Sequence, residues 1–257
     1  MEKNKIRTAF ADYVSEYDAS DPKIALKISH TYRVAELCEK IAQAIGSNDA
    51  DTMLAWTIGM LHDIARFEQV RIYNTFIDKE SVDHADFAVK LLFEDGLIER
   101  FVDIGDEENF DIIKKAIQYH NKYRLPDNLG DRELLFCKII RDADKVDIIR
   151  VNYDTPMEEI YNTTREILMR DSITDEVYEA FFEESAINHS IKRSKIDALV
   201  GHVSLCFELE FDISREILKE QGYLFKLLNF ESENEETAIR LKNIREYIRD
   251  YLDRDSK

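Results

Sequence analysis

Glycine and proline are scarce, 7 and 3 in a chain of 257 residues. With so few turn-favouring residues, the chain is expected to be mostly helical. Nowhere does a run of about 18 apolar residues occur, which argues against a membrane-spanning helix and a membrane partner. The opening Met1-Glu-Lys-Asn-Lys leads into Ile6-Arg-Thr-Ala-Phe rather than into an apolar leader core, so a cytoplasmic location is expected.

Cysteine is confined to Cys38, Cys137 and Cys206, odd in number, far apart and set among apolar residues. This pattern reads as reduced core thiols, not as a disulfide framework or a metal knuckle. Basic residues are also in deficit, 35 Lys and Arg against 53 Asp and Glu, for a net charge of -18. Long nucleic acid is therefore not an expected partner, because its binding depends on Lys and Arg displacing counterions from phosphates. A small anionic substrate needs a local positive field, from metal ions or a few basic residues, to overcome that background.

What is present is a soluble composition, 44% hydrophobic and 34% charged, organised at helical spacing. Ser20-Asp21-Pro22 supplies a cap and a first-turn proline for a helix carrying Ile24, Ile28, Val34, Leu37, Cys38 and Ile41, with His30 upon it. Ser47-Asn48-Asp49 caps a second, expected from about 50 to 67, which bears His62-Asp63 near its end. Ser81 is expected to cap a third, to about Asp95, with His84 in its first turn. A fourth, from about 109 to 121, ends on His120, and a long apolar helix then contains Asp144. Thr155-Pro156-Met157-Glu158 has the form of a helix start and marks an expected boundary between a core, 1–154, and a helical extension, 155–257. The expected fold class is all-α: a helical bundle with additional C-terminal helices.

A His-Asp doublet alone carries little information. His62-Asp63, however, stands in the apolar stretch Gly59-Met60-Leu61-His62-Asp63-Ile64-Ala65-Arg66-Phe67, where an imidazole beside a carboxylate is costly to bury without partners. Metal coordination removes that cost, and imidazole with carboxylate is a donor set preferred by divalent transition metals. Four of the six histidines lie in separate helical segments, followed by Asp144 in Ile139-Ile140-Arg141-Asp142-Ala143-Asp144-Lys145-Val146. Helices of one bundle can bring such residues together in its core. Arg66, one turn after His62, and Lys145, beside Asp144, are the basic residues best placed for a phosphate; Lys122 and Arg124 rank behind them. Asp142 lies nearly opposite Asp144 on a helix and is read as outside the ligand set. His189 and His202 fall outside the pattern.

In this order the residues resemble the HD-domain superfamily, whose pattern is a first His, an adjacent His-Asp pair and a later Asp on successive helices. His30, His62, Asp63 and Asp144 match it, and His84 and His120 match the two further histidines of the dinuclear branch. The resemblance implies one metal held by His30, His62, Asp63 and Asp144 and a second held by Asp63, His84 and His120, with Asp63 as the bridge. It implies two divalent transition metal ions, iron first among iron, manganese, nickel, cobalt and zinc. It also implies a hydrolase cleaving a phosphoester or phosphoanhydride of a small molecule, with a nucleotide as the expected substrate class. Asp63, Arg66 and Lys145 would be the catalytic residues. Cyclic-dinucleotide phosphodiesterases of the HD-GYP type fit less well, because Asn121-Lys-Tyr-Arg-Leu-Pro126 follows His120 where a paired His and Gly-Tyr-Pro are required. Two alternatives stand beside it: an oxygenase, since some HD proteins hold a mixed-valent iron pair with the same six ligands, and a nucleotide-binding regulatory module without turnover, against which the complete ligand set argues.

Overall fold

The computed structural model describes residues 2–102 and 107–254, with side chains of 107 and 108 left aside. Among the described residues every regular element is helical, and no helix is long and apolar enough to cross a membrane. The chain divides into two compact units, Met1–Asp144 and Lys145–Lys257, and the division falls inside a single helix.

The first unit contains α1 (Lys3–Val14), α2 (Pro22–Ala44), α3 (Asp49–Leu61), α4 (Ala65–Tyr73), α5 (His84–Val89) and α6 (Glu107–Tyr119). The first half of α7 (Asp131–Asp154) completes it. Two starts follow from local chemistry: Asp21 accepts from Lys23 N ahead of Pro22, and Asn48 accepts from Asp51 N. The third differs from expectation. Asp83, not Ser81, caps α5, accepting from Ala85 N and Asp86 N, while Ser81 Oγ donates to Ile77 O and accepts from Gln69 Nε2.

The closest packing joins α2 to α3. A Cβ at Gly59 would stand 2.6 Å from Ala35 Cα and 2.9 Å from Ala35 N, so only glycine allows the two backbones this near. Phe10, Trp56 and Phe67 are fully buried beside this pair, and the Phe10 and Phe67 rings meet edge to face at 5.8 Å.

The expected helix over 50–67 is two helices. Its ladder gives way at the doublet, where Ile64 N donates to Leu61 O and Arg66 N to Asp63 O, the tighter three-residue spacing. His62 and Asp63 thus occupy a turn between α3 and α4. In a regular helix consecutive side chains diverge by about 100°, yet here His62 Nε2 lies 3.5 Å from Asp63 Oδ2.

The second unit holds the rest of α7, α8 (Met157–Ile160), α9 (Arg165–Arg170), α10 (Asp175–Phe181), α11 (Lys195–Val203), α12 (Asp212–Gln221), α13 (Tyr223–Leu228) and α14 (Glu235–Arg254). The helix start read at Thr155-Pro156 yields only the single turn of α8, with no side-chain cap. Asn162 then takes a positive φ of 47°, and Thr164 caps α9 by accepting from Ile167 N.

Candidate metal centre

The first unit brings six side chains from five segments into one buried cluster. His30 comes from mid-α2, His62 and Asp63 from the turn after α3, His84 from the first turn of α5, His120 from the end of α6 and Asp144 from α7. All four imidazoles and Asp63 are at most 5% exposed.

The cluster has two sides. On one, His30 Nε2 and His62 Nε2 are 3.3 Å apart, and Asp144 Oδ1 is 3.2 Å from His30 Nε2 and 3.8 Å from His62 Nε2. On the other, His84 Nε2 and His120 Nε2 are 3.0 Å apart. Asp63 faces both: Oδ2 is 3.5 Å from His30 and His62, while Oδ1 is 3.6 Å from His84 and 3.9 Å from His120.

The ring orientations decide what these nitrogens can do. His62 Nδ1 donates to Gly59 O at 2.7 Å and His120 Nδ1 to Ile117 O at 2.6 Å, because a carbonyl oxygen only accepts. His84 Nδ1 donates to the carboxylate of Asp78 at 2.6 Å. In each neutral imidazole Nε2 then carries the lone pair. His84 Nε2 and His120 Nε2 therefore meet as two acceptors, between which no hydrogen bond exists. A cation satisfies both. At metal–nitrogen lengths of about 2.0–2.1 Å, neighbouring donors stand roughly 3.0–3.4 Å apart, so these separations suit a shared ion. Groups spaced for coordination, with donor atoms within 4.8 Å of one another, are His30, His62 and Asp144, and His62, Asp63 and His120. A third such group, Asp78, Asp83 and His84, meets the protonated Nδ1 face of His84, so it orients that ring instead.

Electrostatics keep the donors in their ligating forms. Burial pushes His84 down to about 4, reinforced by the Arg66 charge, and burial with the charge of His62 does the same for His120. Burial also lowers His62. Burial alone would raise the Asp63 carboxyl, but Lys27, His62, His30 and Arg66 hold it well below the usual carboxylate range. For the metal-free protein this fixes a pH dependence. Each of His84 and His120 is neutral in the fold and takes up a proton near pH 6.5 when unfolded, so the unfolded state binds more protons between about pH 4 and 6.5. Stability is full above that window and falls with acidification through it, by up to about 3 kcal/mol per pH unit for the two together. Urea melts of metal-free protein at pH 7 and 5 measure this; equal midpoints would contradict it.

Two residues of the site lay outside the sequence reading. Lys27, one turn before His30 on α2, places Nζ 2.5 Å from Asp63 Oδ2. Asp78, in the connection between α4 and α5, holds His84 and also accepts from Arg66 Nη1 at 2.9 Å and Gln69 Nε2 at 3.0 Å. Arg66 further donates to Gln69 Oε1 and Phe76 O, both at 2.8 Å. Its Nε is buried without a hydrogen-bond partner, 3.6 Å from Asp63 Oδ1. Lys122 is tied to Asp83 and Asp86 at 2.6 and 2.9 Å. Asp142 is fully buried. Lys145 belongs to the second unit, where Nζ donates to Glu208 O at 3.2 Å. His202 also lies there, stacked on Tyr161, and His189 is exposed in a short turn.

A family model described as HD domain matches residues 28–149. This stretch is an HD domain. It spans His30 to Asp144 and so contains every residue of the cluster. No curated protein and no solved structure matches the chain. HD domains in general belong to a superfamily of divalent-metal-dependent phosphohydrolases, and the His and Asp cluster here is spaced for coordination.

Proposed function

We propose that the HD domain is a phosphohydrolase with two divalent transition metal ions, one held by His30, His62, Asp63 and Asp144 and one by Asp63, His84 and His120. The observation that carries this reading is Asp63, whose two oxygens face different histidine pairs. When bound, the ions supply the Lewis acidity that activates water and neutralises charge on a phosphoryl group. Asp63 sets the spacing of the two sides. Asp78 and the carbonyls of Gly59 and Ile117 orient three of the imidazoles, holding their lone pairs inward.

The substrate class proposed is a small phosphorylated molecule, with nucleotides first. Arg66 supports it: the guanidinium is held by four neighbours, Gln69, Phe76 and Asp78 through Nη1 and His84 Nε2 at 3.4 Å through Nη2, while its buried Nε lacks an acceptor that a phosphate oxygen would provide. Lys27 adds a second cation, and Phe76 lies under both, 5.4 Å from Lys27 Nζ and 5.6 Å from Arg66 Cζ.

The test is phosphate release from nucleotides, dinucleoside polyphosphates and simple phosphomonoesters, with iron, manganese, nickel and cobalt supplied separately. Arg66→Ala is expected to cut kcat/KM by roughly 10- to 100-fold without loss of metal. Unchanged kcat/KM would remove Arg66 from the site. Oxygen consumption without phosphate release would replace hydrolysis by an oxygenase.

A further inference from the structure

The second unit contains a cleft of about 260 Å³ lined by Asn152, Tyr153, Arg165, Lys226, Phe230 and Glu231 among others. The division of the chain puts all of these outside the unit that holds the metal cluster. We propose that this cleft is a binding site for a nucleoside monophosphate, distinct in residues and chemistry from the metal centre and independent of the function proposed for it.

The first support is charge. Arg165 and Lys226 are exposed, and among the described residues neither has a carboxylate within ion-pair distance. In a chain of net charge -18, most of whose surface repels anions, two such cations on one cleft form a local positive field. Only Glu231 opposes them from the lining. The Lys226 ammonium is held by ring faces instead, 5.2 Å from the Tyr153 centroid and 4.7 Å from that of Tyr223. Cation–π contact keeps the charge in place without neutralising it. Arg150, by contrast, sits over Tyr223 but is paired with Asp154 at 3.0 Å.

The second support is shape and surface. Tyr153 is 46% exposed although its ring packs at 5.5 Å against Tyr223, so one large aromatic surface remains open beside the cations, with Phe230 in the same lining. A planar base gains stacking there. In the lining, Asn152 is 3% exposed; its amide donates to Ile148 O at 2.8 Å and its Oδ1 accepts from Tyr161 OH at 3.4 Å, so this polar part of the wall is fixed. The volume lies just below the roughly 300 Å³ at which pockets for drug-sized ligands begin, which suits a mononucleotide and is too small for a dinucleotide.

Calorimetric titration of the full chain tests the site, with chelator present throughout so that metal-dependent binding is silent. The probes are adenosine and guanosine 5′-monophosphate, inorganic phosphate, and adenosine. Saturable binding of at least one monophosphate is expected, tighter than binding of phosphate or adenosine alone. The double variant Arg165→Ala/Lys226→Ala should weaken it about 100-fold, roughly tenfold for each charge-assisted contact, and Tyr153→Ala by roughly three- to tenfold. These side chains are exposed, and an unchanged circular dichroism melt confirms that each variant is folded. The proposal is overturned if neither monophosphate saturates, if the double variant binds as well as the parent, or if inorganic phosphate binds as tightly as the nucleotides.

Discussion

Asp63→Asn is expected to leave a folded protein that retains at most traces of metal and has lost at least about 10³-fold in phosphohydrolase activity. The substitution conserves shape and removes one negative charge from the centre of the cluster. Both oxygens of Asp63 face imidazole nitrogens, Oδ2 toward His30 and His62 and Oδ1 toward His84 and His120. An amide offers one acceptor in place of two and turns its N–H groups toward one of these sides. Lys27, only 15% exposed at its side chain, also loses its anionic partner. Its ammonium then opposes any cation at the site, where the ion pair previously balanced it. Metal content by elemental analysis and phosphate release on the same preparation measure the effect. A variant that keeps the parent's metal content and rate would contradict the bridging role.

Gly59→Ala is expected to damage the centre from a distance. The new methyl would stand 2.6 Å from Ala35 Cα, and backbone cannot turn aside as a flexible side chain can. The helices must separate, at a cost of about 1–3 kcal/mol for overpacking, more than offsetting the gain of about 1 kcal/mol in helix propensity from Gly to Ala. Because α2 carries His30 and His62 follows directly on α3, their separation pulls one ligand pair apart. Gly59 O is also the acceptor that orients His62. A lowered melting temperature and weakened metal retention should appear together. Gly201→Ala serves as the comparison, since its methyl would meet only the flexible end of Lys192, and it should be close to neutral. Equal stability of the two variants would refute the close-approach argument.

The cluster was legible because its signal is chemical identity in sequence order. Apolar spacing placed His30, His62, His84 and His120 on separate helical segments, and Asp144 followed on another. Lys27 was also accessible in principle, since a residue one turn before His30 shares its face. Its charge hides that role, because charged residues on helices are ordinarily solvated. Asp78 was not accessible: it reaches His84 through the path of the irregular connection after α4, which side-chain periodicity does not encode. The break at His62 to Ile64 left no trace either, for neither glycine nor proline stands at residues 62–64, where the hydrogen bonds change to three-residue spacing. Asp83 outcompeted Ser81 as the α5 cap because both lie within one turn of the start, and Gln69 draws Ser81 away. In the second unit the error was greater. The helix start at Thr155-Pro156 was followed by no breaker, yet Asn162 turns the chain and Thr164 begins again.

We propose that one HD domain holds two ions, divided between the His30 and His84 sides of Asp63. The most direct measurement is metal content per chain after anaerobic purification, for the parent and for His84→Ala and His120→Ala. The parent is predicted to hold two ions and each variant one, with the remaining ion kept by His30, His62, Asp63 and Asp144. Less than one ion in the parent under every metal supplied, or variants indistinguishable from it, would contradict the two-metal centre.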